Sequence, residues 1–196
     1  MKNGKRILVL LFALPMAFAL SACEVQDKSG GYENSGATNE AKNGKLRELS
    51  LDDVVLCVSI PEELVSNDNV SGNCWEITDA EQTFRFSAFI SDYTGMSNAA
   101  DFAEMKEQAQ KGKDKGNYTE LAYSGFQAYY YTDTYYAGGY LANCKLDLGN
   151  GNNVLSCDFR FLGADGKIDK DKTPEEVLDG FLTEPVQAVL KGITKR

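Results

Sequence analysis

Five cysteines and the complete absence of histidine limit the chemistry that this chain can perform. Without histidine, the chain lacks the commonest general base near neutral pH and the commonest transition-metal ligand. Serine–histidine and cysteine–histidine catalysis are therefore excluded, whereas carboxylate pairs, lysine bases and calcium sites stay open. The sequence also contains no Gly-rich phosphate loop and no G-x-S-x-G motif.

Two adjacent carboxylate pairs, Glu62–Glu63 and Glu175–Glu176, could in principle serve a glycoside hydrolase. Each has a simpler structural explanation, because the first follows a strand pattern and the second belongs to the capping box that begins at Thr173. The acidic loop from Asp165 to Asp171 does not match the ligand spacing of an EF-hand. We therefore predict that the protein is not an enzyme and uses no cofactor and no metal.

The first cysteine, Cys23, ends a segment typical of secretory signals. Three cationic residues precede the apolar run 7–20, which is shorter than the ~20 residues that a membrane-spanning helix needs. The ending Leu20-Ser21-Ala22-Cys23 resembles a bacterial lipobox. That resemblance implies that Cys23 becomes the lipidated first residue, whose acyl chains, palmitate among them, anchor the protein to a membrane. The alternative is an ordinary signal peptide followed by a chance cysteine.

These signals divide the chain into three parts: a signal peptide over 1–22, a lipidated flexible tether over 23–45, and one domain over 46–196. The predicted location is extracytoplasmic, lipid-anchored at the surface of a bacterial cell. The whole chain of 196 residues has a formal net charge of −9. Such an acidic protein repels nucleic acid, so we predict no nucleic-acid partner.

The four remaining cysteines predict two disulfides, because an even number in an exported chain favours a bonded framework. Four cysteines allow three connectivities. Two alternating runs flank Asn150-Gly151, which is a strong signal for a two-residue hairpin turn. That turn places Cys144 opposite Cys157 in a non-hydrogen-bonded pair, and it places the polar residues of both strands on a solvent-exposed face. By elimination, Cys57 pairs with Cys74.

Periodicity elsewhere predicts an α+β domain, with helices packed on a twisted antiparallel sheet. Strands are expected over 53–60, 74–78, 83–91, 118–123 and 126–132, before the hairpin strands 140–148 and 154–162. A helix is expected from Ser97 or Asn98 to about Lys111, with an apolar stripe that includes Phe102. The final helical region is expected over 174–182 and roughly 184–194, divided by Pro185.

This layout resembles the PsbP-like domains, named for an extrinsic protein of photosystem II and common among bacterial surface lipoproteins. The resemblance covers about residues 46–195. It rests on the early strand ending Ile60-Pro61-Glu62-Glu63-Leu64, the helix after the third strand, the strand start Gly125-Phe126-Gln127-Ala128, the long hairpin and the closing helix. It implies an α/β/α sandwich that binds protein complexes without catalysis. Leu64 stands where many members carry a tryptophan, and the cysteine pairs are not a general family feature.

Eight of the ten tyrosines lie between residues 118 and 140, and four of them are candidate binding residues. Tyr129 and Tyr131 share one side of a predicted strand, where burial is the ordinary expectation for tyrosine. Tyr135 and Tyr136 lie in a predicted loop followed by glycines, where exposed aromatic side chains are typical binding anchors.

The leading functional hypothesis is a non-catalytic protein-interaction or accessory module that binds a protein partner. The alternative is a surface receptor for a small molecule or glycan, which would use the tyrosine-rich region 118–140. An exposed tyrosine loop beside an open sheet would favour the first hypothesis. A closed cavity lined by tyrosines would favour the second, and a cleft with two converging carboxylates would favour an enzyme.

Overall fold

The computed structural model describes residues 44–51, 54–67, 74–92, 99–112, 115–149 and 153–196. These residues form ten strands in two antiparallel sheets, together with three helices, which confirms the predicted α+β class. The predicted signal peptide, Cys23 and nearly all of the tether lie outside the described residues. Within the described ranges, every helix is too short or too polar to cross a bilayer.

The smaller sheet has the strand order β1-β2-β10, and the larger one has the order β3-β4-β5-β9-β8-β7-β6. The strands are β1 (Gly44–Leu51), β2 (Val54–Pro61), β3 (Val65–Asn67), β4 (Cys74–Thr78), β5 (Phe84–Asp92), β6 (Gly116–Tyr123), β7 (Phe126–Thr134), β8 (Tyr140–Asp147), β9 (Asn153–Phe161) and β10 (Thr194–Lys195). The helices are α1 (Phe102–Lys111), α2 (Pro174–Phe181) and α3 (Glu184–Lys191).

The larger sheet has two different faces, which we call the core face and the outer face. The core face presents the apolar side chains of β4, β5, β8 and β9, and it packs against α2, α3 and the smaller sheet in one buried cluster. Phe181 of α2 illustrates this packing, because its ring lies 5.5 Å from that of Tyr130 and 6.5 Å from that of Phe86. The outer face carries the alternate residues of the same strands, and α1 covers part of it.

The β8–β9 hairpin has the predicted register but not the predicted hydrogen bonding. Cys144 faces Cys157, as expected. The Leu148 N–H donates to the Asn153 carbonyl oxygen at 3.3 Å, which makes that pair hydrogen-bonded. Because pair types alternate along an antiparallel ladder, Cys144 and Cys157 also form a hydrogen-bonded pair. The non-hydrogen-bonded assignment was therefore wrong, and its turn residues Asn150 and Gly151 lie outside the described residues.

All four cysteines of the described residues carry free thiols in this structure. A hydrogen-bonded pair separates its Cα atoms by about 5.5 Å, a spacing that a disulfide tolerates, so the Cys144–Cys157 bond stays a prediction. Cys57 and Cys74 lie in different sheets, and the Sγ of Cys57 lies 3.9 Å from Oε1 of Glu48. Their bond also stays a prediction, which rests on elimination and on the less apolar side of each strand that both cysteines occupy in the sequence pattern.

Peptide mapping of the exported protein without reduction tests both bonds. We expect one cross-linked peptide pair that contains Cys144 and Cys157, because burial and register hold these residues together. A bond of this kind closes a loop of about 13 residues and contributes roughly 3 kcal/mol in the chain-entropy model. Complete alkylation of both cysteines after unfolding, without a reductant, would contradict the prediction.

Helix α1 begins later than the sequence suggested. Asp101 is the N-cap, because its side chain accepts a hydrogen bond from the Glu104 N–H at 2.8 Å. The Glu104 carboxylate in turn accepts from the Ala100 N–H at 2.7 Å. The proposed caps Ser97 and Asn98 lie outside the described residues. The predicted end at Lys111 is confirmed.

The C-terminal helices agree closely with the prediction. Thr173 and Glu176 form the expected capping box, in which the Glu176 carboxylate accepts from the Thr173 N–H at 2.9 Å. Pro185 lies in the first turn of α3, where a proline needs no N–H partner. Helix α3 ends at Lys191 rather than near 194, because Thr194 pairs with Cys57 of β2. Strands β1, β3 and β10 were not anticipated.

Candidate functional site

The half of the outer face under α1 is apolar and closed. Phe102 of α1 packs on Tyr129 with ring centroids 5.4 Å apart, and Tyr129 stacks on Tyr131 at 6.0 Å. Tyr129 is 2% exposed and Tyr131 is 7% exposed, and burial raises the pKa of both phenols. These two residues are part of the core, which corrects their selection as candidate binding residues.

Tyr135, which is half-buried, and Tyr136, which is exposed, form an aromatic pair directly after β7. The Tyr135 N–H donates to the Gly139 carbonyl oxygen at 2.9 Å, and the Gly138 N–H donates to the Tyr135 carbonyl oxygen at 2.8 Å. Both glycines have a positive φ, which other residues rarely adopt, so this turn depends on them. The two tyrosine rings lie 4.4 Å apart, and Tyr136 is 73% exposed.

Arg160 connects this tyrosine loop to the uncovered half of the outer face. Its guanidinium lies 5.7 Å from the ring of Tyr135, within the range of a cation–π interaction. Arg160 also donates to the carboxylate of Asp158 at 3.2 Å. The two side chains of this ion pair are 18% and 22% exposed. The aromatic pair therefore lies directly beside a charged area of the sheet.

A row of polar residues crosses the sheet at the level of Asp158. The register pairs Glu76 with Ser87, Ser87 with Asp158, and Asp158 with Asn143. Burial raises the pKa of the Asp158 carboxyl, and the neighbouring guanidinium of Arg160 opposes that increase. Polar side chains of four residues on four adjacent strands are thus presented on one surface.

The adjoining row contains a buried lysine. Lys145 lies opposite Ser156 in the register, and its Nζ donates to Oγ of Ser156. Lys145 is 7% exposed and Ser156 is 2% exposed, although the sequence placed both on a solvent-exposed face. The aromatic residues Tyr129 and Phe89 occupy the flanking positions of this row, which accounts for part of the burial. Burial lowers the pKa of Lys145 to about 8.

Ser87 is a second polar residue whose burial is unexplained by the fold. It is 7% exposed, and its Oγ has no hydrogen-bond partner among the described residues. Buried hydroxyl groups are satisfied in most native proteins, so an unsatisfied one requires an explanation. Sequence reasoning missed Ser87, Lys145 and Ser156. The predicted register already placed Lys145 opposite Ser156, and this pairing was the signal in the sequence that could have identified the two residues.

The described residues line two cavities of about 340 Å³. One follows the edge of the sheet at β3–β5 and includes Glu76 and Arg85, whose side chains lie 3.7 Å apart. The other lies at the start of α1 and includes Lys106 and Asp147. Neither cavity is lined by tyrosine. Within the described residues, no group of three acidic or cysteine side chains converges as a metal site.

Comparisons with known proteins do not assign this surface a role. No protein-family model matches the chain, and no curated protein matches it at a significant level.

Proposed function

We propose that this protein is a lipid-anchored, extracytoplasmic interaction module that binds a protein partner without catalysis. Its binding surface comprises Tyr135, Tyr136 and the adjoining polar part of the outer face. The single observation that carries the proposal is the exposure of Tyr136, at 73%, on a turn whose hydrogen bonds and glycines hold the aromatic pair in place. Exposed aromatic side chains that an ordered loop holds in place are typical anchors of binding surfaces.

The composition of this surface supports a protein partner. Tyrosine and arginine are enriched among the residues that dominate the binding energy of protein interfaces. Here the ring of Tyr135 lies beside the guanidinium of Arg160. The pair stands at the rim of a sheet face rather than inside a cavity, which suits a macromolecular surface better than a small ligand. The resemblance to PsbP-like domains supports the same class of partner.

A glycan is the second candidate. Sugar rings pack their C–H faces on exposed aromatic rings, while carboxylates and guanidinium groups bond their hydroxyls. Tyr136 and the Asp158–Arg160 pair provide both kinds of group within one surface. This alternative uses the same tyrosines. The two proposed functions therefore share a binding surface and differ only in the ligand, which is a protein in one and a glycan in the other.

Crosslinking on intact cells, followed by purification of the protein, tests the proposal. We expect a reproducible protein partner that is lost when Tyr135 and Tyr136 are both replaced by alanine. Thermal stability should change little, because Tyr136 is exposed and Tyr135 closes its turn through backbone atoms. Leu182→Ala is the matched control, since Leu182 is also an exposed apolar residue, at 41%, but lies at the junction of α2 and α3.

Capture that persists unchanged in the double variant would refute the proposed surface. Recovery of glycan fragments, lost in the same variant, would instead support the second candidate. A large loss of thermal stability in the double variant would show that the loop belongs to the core.

A further inference from the structure

The buried ammonium group of Lys145 lacks a bonded counter-ion in the described part of the protein. Its hydrogen bond goes to the neutral hydroxyl of Ser156. A buried charge is costly unless a group of opposite charge accompanies it. Among the described residues, the carboxylate that acts on it electrostatically is that of Asp158. That carboxylate already accepts a hydrogen bond from Arg160, so the two form a neutral pair.

The charge around Lys145 is therefore positive. Lys115 adds a further cation on the same side, because its Nζ lies 4.4 Å from the ring centre of Tyr131 and it acts electrostatically on Lys145. These two cations lie close together in a chain whose net charge is −9. An anion would supply the missing charge, and an ammonium group offers it up to three hydrogen bonds.

Ser87 is a second buried polar residue on the same face of the sheet, opposite Asp158 in the register. Its side chain lies on the outer face of β5, next to the strand that carries Ser156 and Asp158. The unsatisfied hydroxyl of Ser87 can donate one hydrogen bond. Together with the hydroxyl of Ser156 and the ammonium of Lys145, it makes a set of donors on three adjacent strands.

We propose that Lys145, Ser156 and Ser87 form a binding subsite for an anionic oxygen group, either a carboxylate or a phosphate. The group enters beside the Asp158–Arg160 pair, whose side chains are partly exposed. Its oxygens accept hydrogen bonds from Nζ of Lys145 and from the two hydroxyls. This subsite does not depend on the tyrosine loop, so it can exist whether or not that loop binds a protein.

The charge state of Lys145 makes binding depend on pH. The charged or titratable groups around it are Asp158, Arg160, Lys115 and the thiols of Cys144 and Cys157. Burial raises the pKa of both thiols, so they stay neutral while Lys145 titrates, and in the predicted disulfide they carry no charge either. Anion binding should be strong at pH 7 and should fade above pH 8, where Lys145 loses its proton.

Calorimetric titration of the detergent-solubilised full chain with acetate, and separately with inorganic phosphate, tests this subsite. Lys145→Met should weaken binding by about tenfold or more, because it removes a charge-assisted hydrogen bond. Ser87→Ala should weaken binding by roughly threefold to tenfold. It should leave the thermal stability of the unliganded protein unchanged, since Ser87 has no partner to lose. Lys191→Met, at an exposed lysine of α3, should behave like the wild type.

Binding of acetate alone would identify a carboxylate subsite, and binding of phosphate alone would identify a phosphate subsite. The proposal is overturned if neither probe releases or absorbs heat, or if all four proteins respond alike. Should Lys145→Met fail to fold, the Ser87→Ala comparison decides the question alone. None of these outcomes bears on the tyrosine loop.

Discussion

Replacing Lys145 with methionine should stabilise the protein by about 1–3 kcal/mol at pH 7. Burial lowers the pKa of Lys145 from its ordinary value of 10.5 to about 8. That difference corresponds to a folding penalty of roughly 3 kcal/mol for the charged form. Methionine has a similar length and no charge, but it leaves Oγ of Ser156 without its donor, which costs about 1 kcal/mol. The free energy of unfolding, measured by denaturant titration, tests this result.

The advantage of the methionine variant should shrink between pH 8 and pH 10.5. In that interval the folded wild type has lost the proton of Lys145 while the unfolded chain still holds it. Stability rises with pH wherever the unfolded state binds more protons. The wild type therefore becomes more stable over this interval, whereas the variant, which has no ionisable group at position 145, does not. The buried phenols, and the thiols where they are not joined in disulfides, titrate alike in both proteins and cancel in the difference. A variant less stable than the wild type at pH 7 would show that Lys145 is paired with an anion in the folded protein.

Replacing Gly180 with alanine should destabilise the protein by about 2–3 kcal/mol. Gly180 faces the core from α2, and a Cβ there would lie 2.6 Å from Cζ of Phe161 and 2.8 Å from two ring atoms of Phe159. Phe159 is 1% exposed and packs against Phe84 at 5.2 Å, so its ring has little room to move. Forcing an extra carbon into a packed core typically costs 1–3 kcal/mol.

The double variant Gly180→Ala with Phe161→Leu should recover part of that loss, because it removes the nearest ring atom. Thermal denaturation of the single and double variants measures the recovery. On an exposed helix the same glycine-to-alanine change would stabilise by up to 1 kcal/mol. A stabilised Gly180→Ala protein would therefore contradict the packing of α2 on the core face.

The sequence predicted most of the larger sheet because alternation of apolar and polar residues is a local signal. The pairing of Cys144 with Cys157 followed from that alternation and the position of the turn. The small sheet was not predicted, since β10 has two residues, Thr194 and Lys195, that pair with β2 from the far end of the chain. No local pattern encodes such a long-range contact.

The candidate site was predicted only in part, for a related reason. The exposure of Tyr136 followed from its loop, where aromatic residues have no strand neighbours to cover them. The burial of Lys145 could not be predicted from β8 alone. Lys145 lies on the side of β8 that carries Asn143 and Asp147, and polar residues on one side of a strand indicate a solvent-exposed face. It results from Tyr129 and Phe89 on the flanking strands, whose positions depend on the order of strands in the sheet.

The most direct test of the proposed function places a photo-crosslinking amino acid at position 136 in one strain and at position 182 in another. Both positions are exposed, but they lie on the tyrosine loop and at the junction of α2 and α3, respectively. We predict a discrete protein adduct after illumination from position 136 and none from position 182. Adducts of equal yield from both positions, or none from position 136, would contradict a protein-binding surface at the tyrosine loop.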